Sequence, residues 1–364
     1  MKPQVSAEYD CLDDPLVDVE EVDQVSEDDL WFLPGPMEVE PDDLQPGPRA
    51  DRAPLFDPRL WQAAQDRHSG ELAELAALFG ALDERLRSGP QGWRHSLALI
   101  EVADLGWWTG ERIAMDQLAL WVGLRLGAAR DDTQALLRAG WAVRRLSGGA
   151  APAEGGWTRG LAAFLGFGGP GKEVPDNILD MAGIMGSAEG LHPVTQGAML
   201  FHGWIMLGQD KRGLDGIGQG AAVAIEAAVM AARHGAGAAS GRALFLPLAL
   251  NGPGALRATG TEERRLGAWI AGATRATQAA LLHLDRLRDW AAHARAATAD
   301  LTGRTPPALI DALVAWPMIS ASLAEELTKA SRAAVQRNLD TLAARRLIRE
   351  VTGQGRFRVW TVKH

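Results

Sequence analysis

The chain has 364 residues, 47% of them hydrophobic, and a formal net charge of −9. That length and apolar content support a buried core and more than one domain. Its one cysteine, Cys11, excludes an intramolecular disulfide and a thiolate zinc cluster. No cationic segment leads into an apolar one, so a secretory signal is not expected and the cytoplasm is the default compartment. Apolar runs such as Ala221–Ala232 fall well short of the roughly 20 residues that a membrane span needs, so no membrane partner is expected.

The charge is unevenly placed. Residues 1–60 carry 17 Asp and Glu against 4 Lys and Arg, a balance of −13, whereas residues 301–364 carry 10 basic against 5 acidic side chains, a balance of +5. An acidic head and a basic tail are the asymmetry expected when one end contacts a polyanion and the other stays away from it. Residues 1–57 combine those carboxylates with Pro34, Pro36, Pro41, Pro46, Pro48 and Pro54 and show neither helical nor strand periodicity, the composition of a disordered segment. The island Leu30-Trp31-Phe32-Leu33 inside it either docks on a protein partner or packs back onto this chain.

Residues 58–300 read as one α-helical domain. Leu72, Leu75, Leu78, Phe79, Leu82 and Leu86 recur at spacings of three and four, and Ile113, Leu118, Trp121 and Leu124 continue the pattern. Breaks at Ser88–Gly92, Ser147–Gly156, Gly166–Pro175 and Asn251–Gly254 divide the region into eight to ten helices, and runs rich in Val, Ile and Thr are missing. A long last helix spans about Glu262–Ala296, and Thr302–Pro307 reads as a linker. The region holds no P-loop, no Gly-x-Ser-x-Gly elbow and no His pair at metal-ligand spacing, so no catalytic residue, metal or cofactor is assigned. Gly216-Ile217-Gly218-Gln219-Gly220-Ala221 approaches the dinucleotide fingerprint, yet Leu200–Leu207 before it reads as helix rather than strand. As a Gly-rich turn opening a helix at Ala221, the segment either aims backbone N–H groups at an anion or lets two helices pack closely.

Residues 301–364 carry the clearest signal. Pro307–Trp316 predicts a first helix with Leu309, Ile310, Leu313 and Val314 inward, Ser320 caps a second helix through Leu327, and Ser331 caps a third. In the third helix Val335, Leu339 and Leu342 share one face, so Ala333, Gln336, Arg337 and Asp340 project the other way. Leu347–Thr352, Gly353-Gln354-Gly355 and Arg356–Val362 predict a β-hairpin. Three helices and a hairpin make a winged helix-turn-helix. Its chemistry suits double-stranded DNA: Arg332, Gln336 and Arg337 can reach base edges, where Arg matches guanine and Gln adenine, while Arg356 and Arg358 on the wing can neutralise phosphates. Winged helices also dock on proteins.

His192-Pro193-Val194, the helix through His202-Gly203-Trp204, and Asp215-Gly216-Ile217-Gly218 resemble the core of Fic-fold proteins, whose loop reads His-Pro-Phe-x-Asp-Gly-Asn-Gly-Arg. In that family the loop His is the base on a target hydroxyl, the Asp binds magnesium and the glycine nest holds nucleotide phosphates. Here Lys211 stands at the base position, Ile217 at the Asn position and Gln219 at the phosphate-contacting Arg position. The resemblance therefore implies a degenerate active site, with Lys211, Asp215, Gly216 and Gly218 as a vestigial anion site. Gly106-Trp107-Trp108-Thr109-Gly110-Glu111-Arg112-Ile113 is similar to a stretch in an uncharacterised bacterial family that joins such a helical domain to a C-terminal helix-turn-helix. The family's inhibitory Glu corresponds to Thr109 or to neighbouring Glu111.

The sequence thus predicts a mainly α protein: an acidic segment over 1–57, a Fic-like helical domain over 58–300 and a winged helix-turn-helix with a small β wing over 301–364. The expected function is a non-enzymatic, sequence-specific transcriptional regulator whose helical domain senses a ligand or forms a homodimer. An adaptor or antitoxin-like protein is the alternative, followed by a divergent nucleotidyl transferase using Asp215 for metal and Lys211 or His202 as base.

Overall fold

The computed structural model describes residues 57–124, 133–148, 156–164, 173–208, 216–237, 244–316, 318–352 and 358–363. Asp57 starts the first helix, where its carboxylate accepts the Arg59 N–H at 2.9 Å and Pro58 supplies a φ already suited to the first turn. The helices of the body follow as α1 (Pro58–Arg67), α2 (Ser69–Ser88), α3 (Gln91–Thr109), α4 (Met115–Leu124), α5 (Thr133–Leu146), α6 (Gly156–Phe164), α7 (Asp176–Gly186), α8 (Pro193–Gly208), α9 (Gly216–Ala231) and α10 (Glu262–Ala297). The C-terminal module runs α11 (Thr305–Ala315), β1 (Met318–Ser320), α12 (Ala321–Thr328), α13 (Arg332–Ala344), β2 (Ile348–Glu350) and β3 (Val359–Val362). The fold is mainly α, with one three-stranded antiparallel sheet ordered β1-β3-β2.

The paired helices α8 and α9 form the centre of the body, with α3, α5 and α6 against α9 and α1, α7 and α10 against α8. Their closeness follows from small side chains. Ala222, Ala224, Ala227, Ala228 and Ala231 of α9 are all buried, and a Cβ on Gly197 of α8 would lie 2.8 Å from the Ala227 carbonyl oxygen. Helix α10 has 36 residues and, at about 1.5 Å per residue, is roughly 54 Å long. Leu266, Trp269, Ile270, Ala273, Ala280, Leu284, Leu287 and Trp290 keep one apolar stripe buried along its length, against α1, α2 and α8 first and α11 later.

Two buried acids hold irregular or distant segments in place. Arg145 of α5 grips Glu226 of α9 through two parallel bonds of 2.8 Å, and the Glu226 side chain is 1% exposed. Burial raises the Glu226 pKa and the guanidinium opposes that rise. On α3, Glu101 accepts the N–H groups of Leu248 and Ala249 on Oε1 at 2.8 and 2.9 Å and of Leu250 on Oε2 at 2.9 Å. One turn on, Asp104 accepts the Asn251 N–H at 3.0 Å. These two carboxylates supply the acceptors that a non-helical segment buried at residues 248–250 lacks within itself.

Burial pushes the Glu101 carboxyl up to about 7, although the three N–H donors favour its ionised form. A folded value above the ordinary 4.5 means that the linked stability is fully present below about pH 4.5 and is lost as pH rises through about 7. Glu101→Gln keeps an acceptor for Leu248 and Ala249 but turns an amide N–H toward the Leu250 N–H. The substitution is expected to lower unfolding free energy by about 1–3 kcal/mol and to flatten its pH dependence across that window. Urea denaturation series at several pH values check both effects.

Candidate nucleic-acid interface

Short side-chain caps set the helix-turn-helix. The Ser320 hydroxyl accepts the Leu323 N–H at 3.2 Å to open α12, and Ser331 accepts the Ala334 N–H at 3.4 Å to open α13. Between them Lys329 adopts φ +53°, with its N–H donating to the Glu325 carbonyl at 2.9 Å, and Thr328 accepts the Ala330 N–H at 3.3 Å. The chain reverses within Thr328–Ser331 because each freed backbone group has a nearby partner. Beneath it Leu309, Ile310, Leu313, Ala324, Val335, Leu339, Leu342 and Trp360 are buried in a core continuous with that of the body.

Burial of Val335, Leu339 and Leu342 fixes which face of α13 looks outward. Ala333, Gln336, Arg337, Asp340, Thr341, Ala344 and Arg345 line a shallow, open concavity of about 680 Å³ along it. Arg332 and Arg337 are exposed, and Arg332 lies 3.9 Å from Glu325 while keeping 80% of its side chain accessible. The Gln336 amide donates to Asp340 at 3.0 Å. The structure therefore brings Arg332, Gln336 and Arg337 together on one exposed helical face.

The wing differs from its sequence reading. Strands β2 and β3 pair as predicted, with Arg349 opposite Thr361, but Met318–Ser320 adds a third strand on the far side of β3, with Ile319 opposite Trp360. A three-residue strand has too little sequence for alternation to register. Arg358, expected to reach for phosphate, instead donates through Nε to Glu350 at 2.7 Å and through a terminal nitrogen to Asp340 at 3.4 Å. Its guanidinium also lies over the Trp360 ring, 4.9 Å from the centroid. Residue 358 precedes β3 and sits at the base of the hairpin, where the two carboxylates and the ring are all within reach. Arg356 lies outside the described residues. Sequence reading missed Lys329 and Arg346, exposed cations in positive-φ positions at the two ends of the recognition region.

The vestigial anion site is divided in the same way. Lys211 and Asp215 lie outside the described residues. Gly216 and Gly218 fall in the first turn of α9, so the helix opens five residues before the expected Ala221. Gly220 in the same segment serves packing: a Cβ on it would come within 2.9 Å of the Trp108 ring of α3. His202, weighed above as a base, is 4% exposed on α8, with Trp61 and Trp269 ring centroids at 6.4 and 6.0 Å. Burial first, then the Arg265 charge, lowers its pKa to about 3. Its Nε2 has no hydrogen-bond partner among the described residues. Thr109 donates to the Gly106 carbonyl at 3.2 Å, and Glu111 pairs with Arg138 of α5.

No group of three His, Cys, Asp or Glu residues suited to a metal ion occurs among the described residues, and no described helix is long and apolar enough to cross a membrane. A comparison with curated proteins finds no match. Residues 306–362 match the protein family described as an HTH DNA binding domain. The caps, the buried face of α13 and the sheet behind it coincide with that match, and the C-terminal module is a helix-turn-helix DNA-binding domain.

Proposed function

We propose that the chain is a sequence-specific transcriptional regulator. Its helix-turn-helix domain reads an operator in duplex DNA, while the helical body, taken as a Fic-like fold without its base, senses a ligand or pairs two copies. The observation that carries this reading is the outward face of α13, where Arg332, Gln336 and Arg337 stand exposed or half-exposed on one side of a helix whose other side is core. Arg and Gln at these positions suit guanine and adenine edges in the major groove. Selection of bound fragments from genomic DNA with the full-length protein tests the proposal: one enriched palindrome supports a dimeric reader, and no enrichment overturns it.

Arg337→Ala is expected to cost about 1–3 kcal/mol of DNA binding and to relax sequence preference at one position. Arg356→Ala should weaken all sequences alike and lower the salt slope by about one. Arg358→Ala should leave that slope unchanged and lower the stability of the module by about 1 kcal/mol or less, because its charge is already spent on Glu350 and Asp340. DNA titrations at several salt concentrations, beside thermal unfolding, separate the three variants.

The body is proposed to transfer no nucleotidyl group, since Lys211 and Gln219 occupy the family positions of the base and the phosphate ligand. Incubation with labelled ATP and a cell lysate should label no target. Labelling that disappears in Asp215→Ala would overturn the degenerate reading.

The acidic head is proposed to temper DNA binding. Its balance of −13 over 60 residues competes with phosphate for a module of +5 on the same chain, and salt screens both over about 8 Å at physiological ionic strength. Deleting residues 1–57 should tighten non-specific DNA binding at low salt, with the difference shrinking as salt rises. Equal affinities of the two forms at low salt would assign the head to recruitment of a protein partner through Trp31 and Phe32.

A further inference from the structure

A cleft of about 700 Å³ opens where the helical body meets the DNA-binding module. Leu99 of α3 and Met115 and Val122 of α4 form one wall, while Trp316, Met318 and Leu323 of the module form the other. That volume lies within the roughly 300–1,000 Å³ of small-molecule sites, which favour domain junctions and apolar linings with a few polar groups. The polar groups here are sparse and differ in kind. Ser96 and His283 are 3.3 Å apart on the body side. The Arg349 side chain of β2 is exposed at the rim and has no hydrogen bond or ion pair among the described residues, and Glu326 of α12 is exposed at the same rim.

The geometry points to a binding site in this cleft for an apolar small molecule that carries one anionic group, held by the Arg349 guanidinium. A ring or short chain fills the space between Met115 and Leu323, and the anion meets the planar fork of guanidinium donors. Glu326 limits the ligand to a single negative charge, because a second would face its carboxylate. His95, whose ring lies 5.6 Å from Trp316, adds no competing cation, since burial holds its pKa below the ordinary value.

The location gives the ligand a route to DNA. Ser320, which caps α12, and Leu323 in the first turn of that helix both line the cleft, and α12 packs against the recognition helix α13. Occupancy that favours one placement of α12 shifts DNA affinity, and DNA shifts ligand affinity by the same factor. This consequence rests on the regulator reading. The binding itself does not.

The test is a fluorescence titration of the full-length protein with 1-anilinonaphthalene-8-sulfonate, a largely apolar aromatic probe with one anionic group. One saturable site per chain is expected. Ala119→Trp or Met115→Trp, which fill the cleft from α4, should abolish it while circular dichroism and melting temperature stay near wild type. Arg349→Gln should weaken the probe about tenfold, as loss of a charge-assisted contact predicts, and Glu326→Gln should tighten or preserve it. Absence of saturable binding overturns the site, and so does binding that survives both tryptophan variants. Weakening by Glu326→Gln but not by Arg349→Gln overturns the anionic ligand class. Because the signal is read without DNA, a failed DNA-selection experiment leaves this site standing, and a failed titration leaves the regulator reading standing.

Discussion

The DNA-binding module is useful only if its recognition helix has a fixed orientation, and a close backbone approach between α3 and α11 sets that orientation. A Cβ on Gly92 would lie 1.8 Å from the Ala315 carbonyl oxygen, so any other residue there forces the two helices apart. The next residue, Trp93, donates its indole N–H to the Val314 carbonyl at 2.7 Å. A glycine that permits contact and a tryptophan that fills and bonds the gap beside it make a junction with one seating. From α10, Trp290 donates to the Leu347 carbonyl at 2.8 Å, and Asp300 takes both terminal nitrogens of Arg345 at 2.6 and 2.7 Å. The exposed Asp300 pair contributes modestly in water, whereas the buried indole bond leaves an unpaired carbonyl if it is lost.

Helix α10 makes this junction matter to the whole chain. Its buried stripe runs without a break from Leu266 and Trp269 in the body to Trp290 and Ala294 at the module, so one helix contributes to a single buried core that spans both. A displacement of α10 relative to α3 would be felt at once by the module, because each helix holds it at a different point. The cleft proposed as a ligand site lies on this junction, and its walls belong to the same elements that hold the module.

Much of the architecture was legible because it rests on local rules. The last body helix was expected over Glu262–Ala296 and runs Glu262–Ala297, and Ser320 and Ser331 cap helices where their positions before apolar runs predict. What escaped is tertiary. Strand β1 exists because Trp360 and its neighbours offer an edge to Met318–Ser320, and nothing local marks those three residues as strand. Gly216–Gly220 reads as a turn by composition, yet it is helical, and Gly220 lets the Trp108 ring of α3 pack closely against it. The roles of Glu101 and Asp104 were likewise invisible, since their partners lie about 147 residues away along the chain.

The charge count of the module carries the same lesson into function. The module's balance of +5 includes the wing arginines Arg356 and Arg358. The structure withdraws Arg358 into the Glu350 and Asp340 carboxylates and ties Arg345 to Asp300. Among the described residues of the module, Arg332 and Arg337 on α13, with Lys329 before it and Arg346 after it, stay exposed near that helix, while Arg304, Arg349 and Lys363 stand exposed elsewhere. Asp340 gains a role from the same arrangement. The Asp340 carboxylate on the outward face of α13 accepts from both Gln336 and Arg358, which offsets its charge and holds the Gln336 side chain.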